Sequence, residues 1–207
     1  TGGRVLFNGT EIDRPAPERA VVFQDALLFP WLTVSRNIAF GLKLQGVKGK
    51  SLDERVSRYL AIMGLTEEDG AKYPHALSGG MSQRVSLARV LALKPKALLM
   101  DEPFSSLDVE TRERLQEELL RLWTARRTTV IYVTHSVEEA AYHADRVLLL
   151  GPSPGRARTV PVPLKRPRDR RSEEFLATKE ALRGGFPEPL CCPSSRHSPH
   201  LEGGFRP

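Results

Sequence analysis

The chain has 207 residues, of which 40% are hydrophobic and 27% are charged, values that exclude a fibrous or wholly disordered protein. No stretch approaches the roughly 18 uninterrupted apolar residues that predict a membrane-spanning helix. The two cysteines, Cys191 and Cys192, are adjacent, so a disulfide framework is excluded and a reducing compartment is favoured.

The formal net charge of +6 is unevenly distributed along the chain. Residues 156–207 contain 11 basic and 6 acidic side chains, a net charge of +5, which leaves +1 for residues 1–155. A nucleic-acid-binding surface is more typically a basic patch on the folded body. The distribution therefore favours a solvated basic segment at the C-terminal end and no nucleic-acid partner.

The first half of the chain predicts a hairpin, a strand, an apolar loop and several helices. In chain order these are a hairpin around Asn8-Gly9, a buried strand at Ala20–Phe23, the loop Phe29-Pro30-Trp31, and helices within residues 34–93. Asn-Gly is a strong turn signal because both residues tolerate a positive φ. Ser51–Glu54 predicts a capping box that starts one helix, and a second helix is predicted from Ser82 to Leu93.

The second half alternates apolar strands with amphipathic helices. The predicted order is a strand at Ala97–Met100, a helix at Val109–Trp123, a strand at Thr129–Thr134, a helix at Val137–His143 and a strand at Val147–Leu150. Continuous apolar strands alternating with helices predict an α/β fold whose parallel sheet is covered on both faces. Pro and Gly accumulate after Gly184, so we expect no fixed fold there.

The run Leu77-Ser78-Gly79-Gly80-Met81-Ser82-Gln83-Arg84 is the sharpest chemical signal. Two glycines allow close backbone approach to a ligand, and a helix that starts directly after them offers unpaired N–H groups and a positive dipole end. This pattern predicts a phosphate site to which the Ser78 hydroxyl contributes. A plain serine cap followed by a glycine turn is the structural alternative.

Acidic and imidazole groups follow two predicted strands. Asp101 and Glu102 end one strand, Ser105–Asp108 follow closely, and His135 ends the next strand, where α/β sheets place their ligands. One carboxylate can hold Mg²⁺ and the other can activate water beside a phosphate. A solvated strand-end pair and a structural histidine are the alternatives for each group taken alone.

Taken together and in this order, the segments resemble the motifs of ABC-type ATPases. Leu77–Arg84 is similar to the signature sequence, Leu98–Glu102 to the Walker B strand, Ser105–Asp108 to the D-loop, His135 to the switch histidine and Gln24 to the Q-loop glutamine. The resemblance spans roughly residues 3–168. Finer segments resemble nitrate, sulfonate and taurine importer subunits, namely Phe29–Val34, Tyr73–Leu77, Met100–Leu107 and Ser153–Arg156.

The resemblance implies a role for each matching residue. Asp101 and Gln24 would hold Mg²⁺, Glu102 would polarise the attacking water, and His135 would bond the γ-phosphate of ATP. Gln24 would also report nucleotide occupancy to the membrane subunit. The signature residues of a second copy would hold the same ATP, namely Ser78, Gly79, Gly80 and Gln83.

The resemblance also implies partners and a domain arrangement. The chain would form a homodimer joined through Asp108 and would bind two permease subunits through Phe29, Pro30 and Trp31 at the cytoplasmic face of the membrane. A periplasmic or extracellular solute-binding protein would complete the importer. The implied fold is a RecA-like P-loop NTPase core at 1–24 and 94–160, a helical signature subdomain at 25–93, and a basic C-terminal tail at 161–207.

The phosphate cradle of this family, G-x-x-x-x-G-K-[S/T], is expected before Gln24, and residues 1–23 contain no such run. We therefore expect the N-terminal strand and P-loop to be absent from this chain and the polypeptide to bind ATP weakly. Gly49-Lys50-Ser51 imitates the end of the cradle, but position 44 is Leu44 instead of the glycine that the pattern requires.

Three alternatives stay open. The chain could be a nucleic-acid-associated ABC ATPase, although the compact interval from Gln24 to Ser78 has no sustained heptads. It could be an inactive remnant that binds partners without catalysis. In the C-terminal segment, Cys191, Cys192, His197 and His200 are zinc-type residues, but their spacing is unlike that of a structural zinc site.

Overall fold

The computed structural model describes residues 3–126, 128–151 and 157–184. The chain divides into two compact units, one on each side of the boundary between His135 and Ser136. The interval 94–160, expected to belong to one ATPase core, runs across this boundary. Among the described residues, no helix combines the length and apolar character that a membrane crossing requires.

The first unit contains strands and helices in the order that the sequence predicts. Its strands are β1 (Leu6–Phe7), β2 (Thr10–Glu11), β3 (Arg19–Val22), β4 (Ala97–Asp101) and β5 (Thr129–Val133). Its helices are α1 (Val34–Leu44), α2 (Lys50–Ile62), α3 (Glu67–Ala71), α4 (Gly79–Leu91) and α5 (Val109–Arg126), with a short 3-10 turn at Pro74–Ala76. β1 and β2 form the predicted antiparallel hairpin, with Phe7 opposite Thr10.

The central sheet of the first unit is parallel, as predicted, and has the order β3-β4-β5. Val22 lies opposite Met100, and Asp101 lies opposite Val133. Because the three strands run in the same direction, their carboxyl ends share one edge of the sheet. This edge positions the candidate site.

The expectation that helices cover both faces of the sheet is wrong for the described residues. Val22, Leu98 and Met100 belong to the hydrophobic core, whereas Val21, Leu99 and Ile131 alternate with core-facing positions and stay exposed, Ile131 to 57%. Alternation along a strand sends neighbouring side chains to opposite faces. A continuous apolar run therefore shows that both faces suit burial but not that both are buried.

The predicted capping box at Ser51 is also wrong. α2 begins at Lys50, two residues before the start that a Ser51 cap implies, after Gly49 in a left-handed conformation (φ 56°), and no side chain caps it. The capping box lies instead at the start of α3, where Thr66 and Asp69 exchange side-chain and backbone hydrogen bonds. The hydrogen bond from Lys72, followed by that from the Thr66 amide, lowers the pKa of Asp69 to about 2.

The second unit contains α6 (Val137–His143), β6 (Arg146–Leu150), β7 (Ala157–Pro161) and α7 (Glu173–Arg183). α6 has its predicted bounds. β6 was expected to be a buried strand of the parallel sheet, but it pairs antiparallel with β7, and its Leu148 and Leu150 are exposed. A run of leucines does not distinguish a two-sided core strand from one that buries a single face.

Residues 161–184 are folded, so the expected solvated tail does not begin at 161. The Arg168 side chain is buried and donates hydrogen bonds to the carbonyl oxygens of Leu164 and of Ala141, Tyr142 and Ala144 at the end of α6. Part of the basic excess therefore serves packing inside the second unit. The expected disorder after 184, the four zinc-type residues and the segment Ser153–Arg156 lie outside the described residues.

Candidate functional site

Four of the predicted site residues lie at the carboxyl edge of the central sheet. Gln24 follows β3, Asp101 ends β4 with Glu102 next to it, and His135 follows β5. The parallel register brings these positions to the same edge, which is where open α/β sheets bind ligands. The Gln24 and Asp101 side chains are exposed there.

Glu102 and His135 are in direct contact. Nδ1 of His135 lies 2.9 Å from Oε1 of Glu102, and the carboxylate side chain is 26% exposed whereas the imidazole is 77% exposed. An ionised carboxylate only accepts hydrogen bonds, so Nδ1 carries the proton in this contact. The structure thus joins two residues that are 33 positions apart in the sequence.

The backbone of Glu102 is held in a left-handed conformation, with φ at 42°. Its N–H donates to the Val133 carbonyl at 3.0 Å, and its carbonyl accepts from the N–H and the hydroxyl of Ser105 at 3.2 and 3.0 Å. A non-glycine residue in this region costs about 1–3 kcal/mol and persists only where its surroundings fix it. These contacts fix the direction of the Glu102 side chain.

The glycine-containing motif starts α4. Ser78 is the N-cap, and its Oγ accepts from the Met81 N–H at 3.2 Å. The two glycines were expected to precede the helix, but they are its first two residues. A methyl group added at Gly79 would meet no atom within 4 Å, so the first turn of α4 opens to solvent at this position.

Gly80 connects this helix end to the loop after Glu102. A Cβ at Gly80 would lie 3.3 Å from Leu107 Cδ2 and 3.5 Å from the Ser106 carbonyl oxygen. Only glycine permits this approach without a shift of its neighbours. The signature end of α4 therefore rests on the segment that carries Asp108.

Two predicted site residues have structural contacts of their own. The Gln83 side chain is 2% exposed and donates to the Phe23 carbonyl at 3.1 Å, so it does not face solvent with Ser78 and Gly79. Asp108 caps α5 by accepting from the Thr111 N–H at 2.9 Å, a hydrogen bond that lowers the pKa of Asp108. The Asp108 side chain nevertheless stays exposed.

The loop Phe29-Pro30-Trp31 forms a separate surface. The Phe29 ring lies 5.5 Å from Trp31 and 4.7 Å from Phe40, centroid to centroid, and Trp31 is 70% exposed. A large exposed aromatic group beside other rings is typical of a protein contact.

Sequence reasoning missed three residues that shape these sites. Asn37 is fully buried and binds the backbone of residues 29–33, Arg89 binds the carbonyls of Ala26 and Leu27, and Arg112 binds those of Phe104 and Leu107. A polar or charged residue inside an apolar helical stretch was the available signal for Asn37 and Arg89. Nothing in the local pattern marked Arg112.

The edge suits a magnesium ion that is bound together with a nucleotide. Within the described ranges, no group of three or more acidic, histidine or cysteine side chains could hold a metal by itself. Mg²⁺ is usually held by one or two carboxylates together with substrate phosphates and water, so it needs no such group. Asp101, with the Gln24 amide at the same edge, meets this requirement.

Comparison with known proteins identifies relatives of the same kind. Residues 1–105 match the family described as ABC transporter. An uncharacterized ABC transporter ATP-binding protein of Methanocaldococcus jannaschii is 47% identical over 183 residues, which cover 88% of this chain and 68% of that protein. The taurine import ATP-binding protein of Chromobacterium violaceum is 45% identical, covering 87% of this chain and 72% of the relative. The nitrate import ATP-binding protein of Synechocystis is 46% identical, and the match covers 75% of this chain and 58% of the relative.

A solved structure supports the same relationship. A dimeric ATP-binding cassette in a post-hydrolysis state, bound to ADP and Pi, superposes with a TM-score of 0.65 and 29% identity. The match covers 72% of this chain and 68% of that one. The fold is therefore the mixed α/β fold of these cassettes.

Proposed function

Because the chain belongs to the ABC transporter family, whose cassettes bind and hydrolyse ATP, we propose that it is the ATP-hydrolysing subunit of an importer for a small solute such as nitrate, a sulfonate or taurine. The 2.9 Å contact between His135 Nδ1 and Glu102 Oε1, at the edge that also carries Asp101, is the observation that carries the proposal. It pairs a general base with a group that can hold a phosphate.

Each member of this pair has a distinct chemical task. Glu102 polarises the water that attacks the γ-phosphate, since its carboxylate can accept the proton that leaves. For His135 to hold a phosphate oxygen with Nε2 while Nδ1 donates to Glu102, the ring must carry both protons. The imidazolium then also stabilises the charge that develops on the phosphate.

Asp101 and Gln24 would hold the Mg²⁺ that accompanies ATP. When bound, the ion neutralises phosphate charge during hydrolysis. The exposed position of Gln24, directly before the loop that leads to Trp31, also suits a residue that reports nucleotide occupancy to a partner.

A second copy of the chain would complete the site. The open first turn of α4 presents the Ser78 hydroxyl and the N–H groups of Gly79 and Gly80, and the positive end of the helix dipole favours a phosphate there. We place these groups on the γ-phosphate of ATP held by the other copy, with Asp108 at the interface between the two copies. The buried Gln83 would act by shaping α4.

The exposed aromatic loop supports a contact with permease subunits. Phe29, Pro30 and Trp31 would receive a permease segment at the cytoplasmic face of the membrane, so that two cassettes serve two permease subunits. A solute-binding protein outside the cytoplasm would deliver the solute, whose identity is set by that protein and the permeases.

The 207 residues contain no G-x-x-x-x-G-K-[S/T] run, so the polypeptide of this sequence should bind MgATP weakly. Calorimetric titration tests this expectation, and an affinity in the low micromolar range would contradict it. A subunit that binds partners without hydrolysing ATP is the second candidate.

Substitution of Glu102 separates the two candidates. The test uses a longer protein, called the joined protein, in which an N-terminal segment with the G-x-x-x-x-G-K-[S/T] run precedes this chain. In the joined protein, Glu102→Gln should retain ATP binding and lose hydrolysis, because the amide cannot take the proton from water. Retained hydrolysis in Glu102→Gln would remove the residue from its role. A joined protein that binds ATP but never hydrolyses it, even with Glu102 intact, would support the non-catalytic candidate.

A further inference from the structure

Helix α4 holds the backbone of residues 23–27, on both sides of Gln24, through side-chain hydrogen bonds. Nε2 of Gln83 donates to the Phe23 carbonyl at 3.1 Å, next to Gln24. Further along the helix, the Arg89 guanidinium donates through Nη1 to the Leu27 carbonyl at 2.9 Å and through Nη2 to the Ala26 carbonyl at 3.2 Å.

Arg89 directs its charge at this loop. Among the described residues it makes no ion pair with a carboxylate, and its guanidinium carbon lies 5.4 Å from the centre of the Phe29 ring. Burial lowers the pKa of Arg89, in keeping with a guanidinium partly withdrawn from water. Its planar fork reaches two carbonyls at once, which a lysine ammonium on a single stem cannot reproduce with the same geometry.

The clamped backbone is strained. Leu27 has a φ of 43°, a left-handed conformation that L-residues other than Asn and Asp rarely adopt, and its side chain is 59% exposed. Such a conformation persists only where surrounding contacts determine it. The hydrogen bond from Arg89 to the Leu27 carbonyl is one of these contacts.

We infer that Arg89 is a positioning residue that clamps residues 26 and 27 and the Phe29 ring onto α4, so that the loop leading to the exposed Trp31 moves with the helix whose start carries Ser78 and Gly79. Movement of α4 when nucleotide binds would then displace the aromatic surface. The roles of Ser78 at the start of α4 and of Trp31 in the loop rest on the proposed function, whereas the clamp itself does not depend on nucleotide or partner.

Hydrogen exchange on the full chain without nucleotide tests the clamp. The Phe29 N–H, which donates to Asn37 Oδ1, and the Leu32 N–H, which donates to the Phe29 carbonyl, report on the loop. In the unsubstituted chain these amides should open together with those of α4 and with the same denaturant dependence. Loop amides that exchange far faster than α4, on their own, would overturn the clamp without any substitution.

Arg89→Lys is the central variant, and Arg84→Lys is its matched control. Arg84 lies on the same helix and donates to the carbonyls of Met63 and Gly64 at 2.9 and 3.0 Å, away from the loop. Arg89→Lys should speed exchange of the loop amides by about tenfold or more, the effect of losing hydrogen bonds made by a charged donor. Arg84→Lys should leave them nearly unchanged. Equal exchange in Arg89→Lys and the unsubstituted chain would overturn the inference.

Two readouts separate a specific clamp from general packing. In a Trp123→Phe background, Trp31 is the sole tryptophan, and Arg89→Lys should lower its fluorescence anisotropy. Adding Leu27→Gly should restore part of the protection lost in Arg89→Lys, because glycine adopts a positive φ without strain. Absence of both effects would contradict the positioning role. Failure of a joined protein to bind ATP would instead refute the proposed function and leave these results intact.

Discussion

The buried side chain of Asn37 gives the most quantitative prediction for the first unit. Its Oδ1 accepts from the Phe29 N–H at 2.9 Å, and its Nδ2 lies 3.2, 3.0 and 3.1 Å from the carbonyl oxygens of Phe29, Leu32 and Thr33. We consider the replacement Asn37→Leu, which keeps the number and branching of the non-hydrogen side-chain atoms and removes all four contacts.

The cost follows from the groups that lose their partners. The Thr33 carbonyl still accepts from the backbone N–H of residue 37 at 2.8 Å, and the Phe29 carbonyl still accepts from the Leu32 N–H at 3.1 Å. The Phe29 N–H and the Leu32 carbonyl lose theirs. At roughly 1–2 kcal/mol for each unsatisfied, partly buried group, Asn37→Leu should lower the free energy of unfolding by about 3 kcal/mol.

Urea unfolding followed by tryptophan fluorescence measures this loss, since Trp31 and Trp123, the two tryptophans, both belong to the first unit. Gln45→Leu is the control, because Nε2 of Gln45 donates to the Leu93 carbonyl at 3.2 Å in an exposed position. It should cost about 0.5 kcal/mol or less. If Asn37→Leu costs no more than Gln45→Leu, the reasoning about unsatisfied groups is refuted.

Three further predictions concern other parts of the chain. Arg168→Met should destabilise the second unit by more than about 2 kcal/mol in thermal melts, and Arg168→Lys should not restore it, because four carbonyls lose one guanidinium. Burial, followed by the charges of three nearby arginines, lowers the pKa of His143 from 6.5 to about 3. Between these two pKa values the unfolded chain binds more protons than the folded chain. The free energy of opening α6, measured by hydrogen exchange, should therefore fall by up to about 1.4 kcal/mol for each pH unit below 6.5, and His143→Gln should flatten this slope. Ser78→Ala should lower the free energy of unfolding by about 1 kcal/mol, because α4 loses its N-cap. Ser78→Asp should keep the cap but abolish hydrolysis in the joined protein, because the carboxylate repels phosphate, and hydrolysis that survives in this variant would count against a contact between Ser78 and phosphate.

The order of elements could be predicted because it depends on local periodicity and turn residues. The hairpin at Asn8-Gly9 and the bounds of α6 follow from neighbouring residues alone. Helix starts were less predictable: Ser51 satisfies the capping pattern, but the left-handed Gly49 lets α2 begin one residue before it. Two competing caps a few residues apart differ by less free energy than tertiary packing supplies.

The strand-end residues of the candidate site could be predicted from the sequence, whereas their contacts could not. Strand ends are local features, so Asp101 and His135 were expected at the sheet edge. The Glu102–His135 contact depends on the left-handed backbone at Glu102. Hydrogen bonds with Ser105 and with Val133, which lies 31 positions away, hold this backbone in place. The burial of Gln83 likewise depends on the Phe23 carbonyl, 60 positions away.

Complementation between two inactive variants tests most directly whether ATP is held between Ser78 of one copy and Glu102 of another. Glu102→Gln and Ser78→Asp are prepared in the joined protein and mixed in equal amounts. In a symmetric dimer, half of the dimers formed are mixed and each has one intact site, so the mixture should regain about a quarter of the original ATPase activity. A mixture as inactive as its components would contradict a site shared between copies.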